Sequence, residues 1–506
     1  MRNQFIAFSI VSSAVVAGVY LIWPPVIWSL VLLVPIIFQG YYDIAQKKHT
    51  LRKNFPVLGI ARYIMEDLRP KIYQYFIESE TDGAPINRMY RSIVYQRAKG
   101  ALSTNPFGTK RNAYETGYEW ANHSIMPIDH HDLNPHPRIT VGGSDCTKPY
   151  EASIYNVSAM SFGALSKNAI LSLNWGAKEG NFAHNTGEGS ISPYHLKHGG
   201  DLIWQIGTGY FGCRNNDGSF SGEKFQEKAH LENVKMIEIK VSQGAKPGHG
   251  GILPAIKNTP EIAAIRGVEP NTRVDSPPAH KAFSDPIQMM EFIKKLRELS
   301  GGKPIGFKLC VGNKLEFMDL CIAMTETGIK PDFITVDGGE GGTGAAPLEF
   351  SNHIGMPLKD GIAFVSDTLR GYGLRKEIKI FASGKILTGF HMFRSFALGA
   401  DACYSARGMM LSLGCIQALE CHSNNCPTGI ATQKKHLMDG LNVKDKAERV
   451  ARFHKQTVAS FVEFMGATGV KELSRVKRQH VYRRISQDQI KTYEEIYPSL
   501  KVGEYT

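Results

Sequence analysis

Between residues 333 and 344 the chain reads FITVDGGEGGTG, a β-branched and apolar run that passes directly into a glycine-rich turn. Two later segments repeat this order: Ile378–Ala382 precedes the turn SGK (383–385), and Ala402–Tyr404 precedes the turn SARG (405–408). A parallel barrel carries its ligand-binding loops after the carboxyl ends of its strands, and often holds a phosphate after the last two. The three segments therefore predict strands that share a ligand site at one end.

Working outward, short apolar runs alternate with helical stretches from about residue 146 onward. The predicted strands are Ile154–Met160, Met236–Val241, Ile305–Leu309, Phe333–Val336, Ile378–Ala382 and Ala402–Tyr404. The predicted helices include Lys167–Ala177, Pro286–Leu299, Leu315–Thr327 and Gly389–Leu398. This alternation predicts a parallel sheet covered by helices. An open doubly wound sheet would need a Gly-x-Gly-x-x-Gly turn after its first strand, and SFGA (161–164) is different. We therefore predict an α/β protein with a (β/α)₈ TIM barrel.

Composition limits the classes of function. The chain has 506 residues, of which 42% are hydrophobic, enough for one large domain and additional segments. The net charge of +12 is spread along the chain, with no Lys/Arg run interleaved with aromatic residues, so we expect no nucleic-acid binding. A basic balance is compatible with anionic ligands or an anionic membrane surface.

The N-terminus predicts a membrane anchor. No charged residue occurs from Asn3 to Tyr42, and the dipeptide Pro24-Pro25 divides this stretch into two apolar runs. We predict a transmembrane helical hairpin, with basic residues at both ends that place the catalytic domain on the cytoplasmic side of the inner, cytoplasmic membrane. The alternative is a cleaved signal peptide; the second apolar run and the lack of a clear small-x-small site argue against it.

These patterns divide the chain into four parts. We predict a hairpin anchor at residues 1–45, a linker or accessory region at 46–145, the barrel with its cysteine loop at 146–440, and a helical tail at 441–506. The tail carries no recognisable chemistry. We expect it to wrap the barrel or to form a contact in a homo-oligomer.

The cysteines indicate a metal site. Five of the eight are isolated, whereas Cys415, Cys421 and Cys426 form the pattern C-x₅-C-x₄-C-P. Three thiolates on one short loop suit an iron–sulfur cluster. A zinc site would need a fourth ligand, with His422 or His436 available, and inert buried cysteines are the third alternative.

Six segments, in order, resemble the FMN-binding synthase domain of glutamate synthase. They are SAMSFGALS (158–166), NTGEG (185–189), IKVSQGAKPG (239–248), SPPAH (276–280), residues 337–347 and CPTGIATQ (426–433). The resemblance covers about residues 150 to 435. It implies reduction of 2-iminoglutarate, formed from 2-oxoglutarate and ammonia, to glutamate by hydride from reduced FMN. It also implies that Cys415, Cys421 and Cys426 bind a [3Fe–4S] cluster that passes electrons to the flavin from a separate electron-donor protein.

The resemblance also implies roles for individual residues. A strand-end lysine, here Lys308, would stabilise the reduced flavin edge; a surface lysine is the alternative. The other residues expected to bind FMN are Ser161, Asp337, Gly338, Gly339, Gly341, Gly342, Thr343, Ser383, Gly384, Lys385 and Gly408.

Three residues are expected to serve the substrate. Lys246 and Arg266 match ligands of the keto acid, whose two carboxylates need fixed cations. Glu188 matches a glutamate near the reacting carbon, where it would orient ammonia or move a proton. A helix-surface ion for Arg266 and a loop cap for Glu188 are the structural alternatives.

The chain departs from the family pattern beside Lys246, where Glu and Gln of the family become His249 and Ile252. A lost polar partner at a buried contact costs about 1–3 kcal/mol, which is enough to change substrate preference. We also see no glutaminase or pyridine-nucleotide segment, and expect ammonia and electrons to come from elsewhere. The alternative function is therefore an FMN/iron–sulfur oxidoreductase that acts on another imino or amino acid, or exchanges electrons with the membrane quinone pool.

Overall fold

The computed structural model describes residues 1–102 and 104–505. The chain forms two compact units, Met1–Pro85 and Ile86–Thr506. The first unit contains the helices Arg2–Tyr20, Leu30–Ala45, Thr50–Asn54 and Gly59–Ile72, a 3₁₀ helix at Pro24–Ser29 and a π-helix at Tyr73–Ile77.

The first two α-helices form the predicted hairpin, with the 3₁₀ helix at its turn. A Cβ atom on Gly40 would lie 1.9 Å from the Phe5 ring, so the helices approach closely at that point. The hydroxyls of Ser9 and Tyr41 are 2.9 Å apart across the same contact. Arg2–Tyr20 and Pro24–Ala45 are long and apolar enough to cross a membrane, and side chains such as Leu21 and Ile22 are more than 80% exposed.

The second unit is built on a closed barrel of eight parallel strands, which confirms the predicted fold class. In chain order the strands are β1 (Tyr155–Val157), β2 (His184–Asn185), β3 (Leu202–Ile206), β4 (Val234–Lys240), β5 (Ile305–Leu309), β6 (Phe333–Asp337), β7 (Lys379–Ser383) and β8 (Ala402–Ser405). Each strand pairs with the next, and β8 pairs with β1 through Cys403 and Tyr155. Nearly every strand residue is buried, as expected for strands covered on both faces.

Helices surround the barrel, and several begin at residues whose side chains cap them. Ser166, Asp285 and Thr388 each accept the backbone N–H three residues later, which satisfies one of the free donors of the first turn. The helices of this unit are Arg88–Lys99, Lys167–Glu179, Pro193–Leu196, Gly222–Ala229, Pro260–Arg266, Pro286–Leu299, Lys314–Thr327, Leu348–His353, Leu358–Gly371, Gly389–Leu398, Arg407–Ser412, Lys435–Met438, Val443–Ala467 and Tyr493–Ile496.

The longest helix, Val443–Ala467, closes the helical ring. It packs against Lys167–Glu179 on one side and Gly389–Leu398 on the other, and Arg88–Lys99 lies against it. Parts of the predicted tail and of the predicted accessory region thus cover the barrel. The strands Glu119–Ala121, Val481–Arg484 and Ile490–Thr492 pair in a separate small sheet.

An antiparallel hairpin, Arg138–Val141 with Tyr150–Ser153, closes the amino-terminal end of the barrel. Its apolar side chains pack with those inside the barrel, among them Phe333, Phe381 and Tyr404. Further inside, the buried Glu238 carboxylate accepts hydrogen bonds from Asn185, Gln205 and Thr335 at 2.6–2.8 Å. A filled interior leaves ligands only the opposite, carboxyl end of the strands.

The six predicted barrel strands are all present, although β1, Tyr155–Val157, is shorter than the predicted Ile154–Met160. The sequence prediction missed β2 and β3. Strand β2 has two residues, too few to show a periodic pattern. Strand β3, LIWQI, is a short apolar run followed by the turn Gly207-Thr208-Gly209, so the same signal that marks the later strands was available for it.

Candidate active site

A cavity opens at the carboxyl end of the barrel, with an empty volume of about 1260 Å³ that includes its open mouth. Most of the residues predicted for the site line it. They are Ser161, Glu188, Lys246, Lys308, Asp337, Gly341, Gly342, Thr343, Ser383, Gly384, Lys385 and Cys421. Gly338, Gly339, Gly408, Arg266, Cys415 and Cys426 lie outside its lining.

Two lysines lie at the carboxyl ends of the neighbouring strands β4 and β5, and each pairs with a carboxylate. Lys240 Nζ lies 3.1 Å from Glu188 Oε2, and Lys308 Nζ lies 3.2 Å from Asp337 Oδ2. Asp337 also accepts the backbone N–H of Gly244 at 2.8 Å. Lys308 is 5% exposed, so the alternative of a surface lysine is wrong.

Glu188 is held as an anion. Burial raises the pKa of its carboxyl, but the positive charge and hydrogen bond of Lys240 lower it, and the pKa lies below its ordinary value. The charges of Arg266 and Lys246 act in the same direction. Glycine backbone surrounds the carboxylate, because a Cβ on Gly251 would lie 1.9 Å from Oε1 and one on Gly207 would lie 2.7 Å from Oε2.

Lys246 is a buried cation that faces the cavity. Its side chain is 2% exposed, and no carboxylate among the described residues forms an ion pair with it. Burial, followed by the charge of Lys240, lowers its pKa to about 8. A cation of this kind suits the carboxylate of a ligand.

Arg266 lies behind the cavity wall. Its Nη2 donates to the Phe162 carbonyl at 2.9 Å and to Ser161 Oγ at 3.3 Å. The guanidinium also lies over the Phe211 ring at 5.2 Å from the ring centroid. The alternative of a helix-surface ion is wrong, because Arg266 is buried; it supports Ser161 and the field at Glu188.

The glycine-rich turn after β6 has two parts. Gly338 and Gly339 donate their N–H groups to the carbonyls of Ser383 and Met356, both at 2.8 Å, so these glycines serve the turn itself. The remainder of the turn, Gly341, Gly342 and Thr343, faces the cavity. Backbone without side chains at that wall gives a flat ligand close access.

Strands β7 and β8 are neighbours, so the turns after them lie together at the cavity. Lys385 and Arg407 both line it. Burial lowers the pKa of Lys385, and the positive charge of Arg407 acts in the same direction. Arg407 also donates to the Thr343 carbonyl at 3.0 Å. This pair of cations is suited to a phosphate. Gly408, by contrast, packs against the Phe453 ring.

The sequence prediction had not selected Lys240 or Arg407 as site residues. Lys240 is the last residue of β4 and Lys308 the last but one of β5, and the register pairs the two residues directly. A strand-end position inside a matched motif was therefore an available signal for Lys240. For Arg407, the signal was an arginine in the turn after the last strand.

The cysteine segment follows β8 and reaches the same cavity, since Cys421 and His422 line it. A Cβ on Gly344 would lie 3.7 Å from Cys421 Cβ, so the glycine-rich turn and the cysteine segment meet there. Burial raises the pKa of the Cys426 thiol, but hydrogen bonds from Thr428 and nearby backbone N–H groups lower it below its ordinary value. This favours the thiolate that binds metal.

Among the described residues, the three potential metal ligands whose atoms all lie within 4.8 Å of one another are the exposed Asp129, His130 and His131. Whether Cys415, Cys421 and Cys426 bind an iron–sulfur cluster, a zinc ion or no metal stays a prediction.

Of the residues that depart from the family pattern, Ile252 lines the cavity and His249 does not. Ile252 and Leu253 form a two-residue ladder with Val274–Asp275, outside the barrel sheet. Together with Pro254 they give the cavity an apolar segment. His249 instead meets the Phe350 ring edge to face, with the ring centroids 5.5 Å apart.

Comparison with known proteins agrees with this architecture. Residues 134–471 match the family model described as the conserved region in glutamate synthase. The chain is 36% identical over 497 residues to the glutamate synthase large subunit-like protein YerD of Bacillus subtilis, covering 90% of this chain and 94% of that protein. It is 34% identical over 322 residues to an archaeal glutamate synthase (NADPH) of Methanocaldococcus jannaschii, covering 63% of this chain and 60% of that enzyme. The chain therefore belongs to the glutamate synthase family of oxidoreductases.

Proposed function

We propose that this chain reduces the imine formed from 2-oxoglutarate and ammonia to glutamate, using FMN and a [3Fe–4S] cluster. The observation that carries the proposal is the joint lining of one cavity by Glu188, Lys246, Lys308 and Cys421. Groups suited to a substrate, a flavin and a metal cluster thus meet at one end of the barrel. When bound, FMN supplies the hydride for the imine carbon and the cluster supplies electrons one at a time.

The chain's residues fit a bound FMN. Lys308, fixed by Asp337 at 3.2 Å, provides a positive charge at a strand end. Gly341 and Gly342 allow the ring system to lie close to backbone, and Lys385 with Arg407 provides cations for the phosphate. The cavity lining near β1, which includes Ala159 and Met160, is uncharged and would shield a bound flavin from water.

The substrate would bind between Lys246 and Glu188. The Lys246 ammonium has no carboxylate partner in the described chain, so a substrate carboxylate can take that place. Condensation of ammonia with a keto acid releases water, and the nitrogen must lose protons as the imine forms. Glu188 is ionised and lies 3.1 Å from Lys240, so it can hold ammonium and accept such a proton.

A second substrate class is favoured by Ile252. This side chain, with Leu253 and Pro254, lines the cavity where the family pattern has a polar residue. An apolar lining suits an imino acid with a less polar side chain than that of 2-iminoglutarate. The chemistry at the reacting carbon would be unchanged.

We also propose that the N-terminal hairpin anchors the protein in the cytoplasmic membrane, and that electrons come from a separate protein. The support is the pair of apolar helices, Arg2–Tyr20 and Pro24–Ala45, whose side chains are largely exposed within their unit. Fractionation of cells that express the full chain and a variant lacking residues 1–45 tests the anchor. Equal recovery of both in the soluble fraction contradicts it.

Anaerobic purification of the full chain, followed by absorbance and EPR spectroscopy, tests the cofactors. Chemically reduced protein is then mixed with 2-oxoglutarate and ammonium, and glutamate is measured. We expect bound FMN, an EPR-active cluster and glutamate formation. Lack of FMN contradicts the whole proposal, whereas FMN without glutamate, but with product from an apolar keto acid, supports the second substrate class.

A further inference from the structure

A buried lysine connects the cavity to the cysteine segment. Lys257 ends the 3₁₀ turn Ala255–Lys257 and is 2% exposed. Its Nζ donates to three backbone carbonyls: Ala164 at 3.1 Å, Cys421 at 2.7 Å and Ala431 at 2.8 Å. All three acceptor residues line the cavity, as Lys257 does.

The number of acceptors indicates the charge of Lys257. A protonated lysine has three N–H donors, whereas the neutral amine has two. Three carbonyl oxygens within 3.1 Å therefore match the donors of the ammonium form. No carboxylate forms an ion pair with Lys257 in the part of the chain that the structure describes.

A buried cation without a counter-ion is unfavourable. The groups best placed to compensate it belong to the cysteine segment, since Lys257 holds the carbonyl of Cys421 itself. Gln433, in the same segment, donates to the carbonyls of Gly163 and Leu165, the neighbours of Ala164, at 3.0 and 2.9 Å. The neutral Gln433 amide thus already holds the cysteine segment in place, and Lys257 adds a positive charge.

We infer that Lys257 is a positioning residue that places a positive charge beside an anionic iron–sulfur cluster and raises the reduction potential of that cluster. The inference rests on the proposed function for the presence of the cluster. Reduction adds one negative charge to the cluster, and a nearby cation in a poorly solvated site stabilises the reduced form more than the oxidised form. The lysine thereby favours electron entry next to the flavin cavity.

The test is an EPR-monitored redox titration of the full chain, the variant Lys257→Gln and a control variant. Glutamine keeps a hydrogen-bond donor but removes the charge. The control is Lys303→Gln, because Lys303 also donates to two backbone carbonyls, Ala229 at 2.6 Å and Leu231 at 3.0 Å. Lys303 precedes β5, at the opposite end of the barrel from the cysteines.

We expect Lys257→Gln to make one-electron reduction of the cluster at least tenfold less favourable, which is about 59 mV lower in midpoint potential. Lys303→Gln should leave the potential unchanged. An unchanged potential in a Lys257→Gln protein with normal iron content overturns the inference. If the Lys257→Gln protein loses its cluster, the cluster content of Lys257→Arg, which keeps the positive charge, is measured instead. A retained cluster supports the role of the charge, and a lost cluster refutes it.

The titration separates this inference from the proposed function. An unsubstituted chain without iron and without an EPR signal contradicts the proposed cluster, and the inference with it. A normal cluster whose potential does not respond to Lys257 contradicts the inference alone.

Discussion

Two lysine–carboxylate pairs of nearly equal length lie side by side in the cavity, yet their surroundings differ. Asp337 accepts both Lys308 and the backbone N–H of Gly244, at 3.2 and 2.8 Å. In the described chain, Lys240 is the only hydrogen-bonding or ion-pairing partner of Glu188, at 3.1 Å. Asp337 is fixed by two protein donors, both at Oδ2, whereas Glu188 is fixed by one and retains more acceptor capacity towards the cavity. A pair's role therefore depends on its remaining partners more than on its length.

The largest effect should come from Glu188→Gln. This change removes the proton acceptor, and general acid–base groups contribute roughly 10²–10⁴-fold to rates. We expect a loss of that size in kcat for glutamate formation, with FMN absorbance retained. The control is Glu261→Gln, a carboxylate that accepts a hydrogen bond from Tyr194 at an exposed site. Equal activity of Glu188→Gln and this control would exclude Glu188 from proton transfer.

Substitution in the Lys308–Asp337 pair should lower the stability of the protein. Lys308→Met leaves Asp337 buried without its counter-ion, which costs about 3–5 kcal/mol when one partner of a buried pair is removed. We expect a lower midpoint in chemical unfolding and loss of FMN from the purified protein. The double variant Lys308→Met, Asp337→Leu should recover part of the unfolding free energy. A single variant as stable as the parent protein would show that the pair does not act as a unit.

The position of Glu188 can be shifted without changing its charge. A Cβ on Gly251 would lie 1.9 Å from Glu188 Oε1, so Gly251→Ala must displace the carboxylate. A displacement of about 1 Å at a reacting group costs on the order of 10²-fold in rate. Gly312→Ala is the matched control, because nothing lies within 4 Å of its Cβ position. We expect kcat to fall in the first variant and not in the second, and the reverse result would contradict the geometry.

Lys246 should control substrate affinity and its pH dependence. Its pKa is lowered to about 8, so the cation that binds a carboxylate is lost as the pH rises through 8. We expect KM for the keto acid to increase above pH 8. Lys246→Met should raise KM by roughly 10–100-fold, from about 1.5–3 kcal/mol for a hydrogen bond to a charged group, and should abolish this alkaline rise. A pH profile that is the same in both proteins assigns the titration to another group.

The smallest effect is expected at Ile252. Ile252→Gln restores the polar residue of the family pattern and should lower KM for 2-oxoglutarate by a factor corresponding to about 1 kcal/mol, the lower end for one buried polar contact. The ratio of kcat/KM for 2-oxoglutarate to that for an apolar keto acid measures the change. A ratio that does not move excludes this side chain from substrate selection.

The barrel and much of the site could be predicted from the sequence, because glycine-rich turns directly follow apolar strand segments such as 333–337. Because the strands of a closed parallel barrel all end on the same side, these turns must lie together at one end. Other features depended on tertiary structure. Gly338 and Gly339 lie outside the cavity lining because their N–H groups donate to carbonyls on other segments, those of Ser383 and Met356. Arg266 lies behind the cavity wall because it donates to the Phe162 carbonyl. None of these partners is visible in a local pattern.

The helix Val443–Ala467 lies in the region predicted as a helical tail that would wrap the barrel or form a contact in a homo-oligomer. Its buried face, which includes Val450 and Phe453, packs against the barrel helices, in agreement with the first alternative. An insertion between the last strand and its helix therefore carries the predicted metal site without altering the barrel.

The two-residue ladder between Ile252–Leu253 and Val274–Asp275 has a consequence for how this protein can diversify. Its hydrogen bonds belong to a sheet separate from the barrel, so exchanges there do not disturb the strands that carry Lys240 and Lys308. A substitution in the ladder can then alter the cavity lining while Lys240 and Lys308 stay in place. Within the ladder, Ile252 is the position where a single substitution can change the cavity lining, because Leu253 and Val274 are buried in the hydrophobic core.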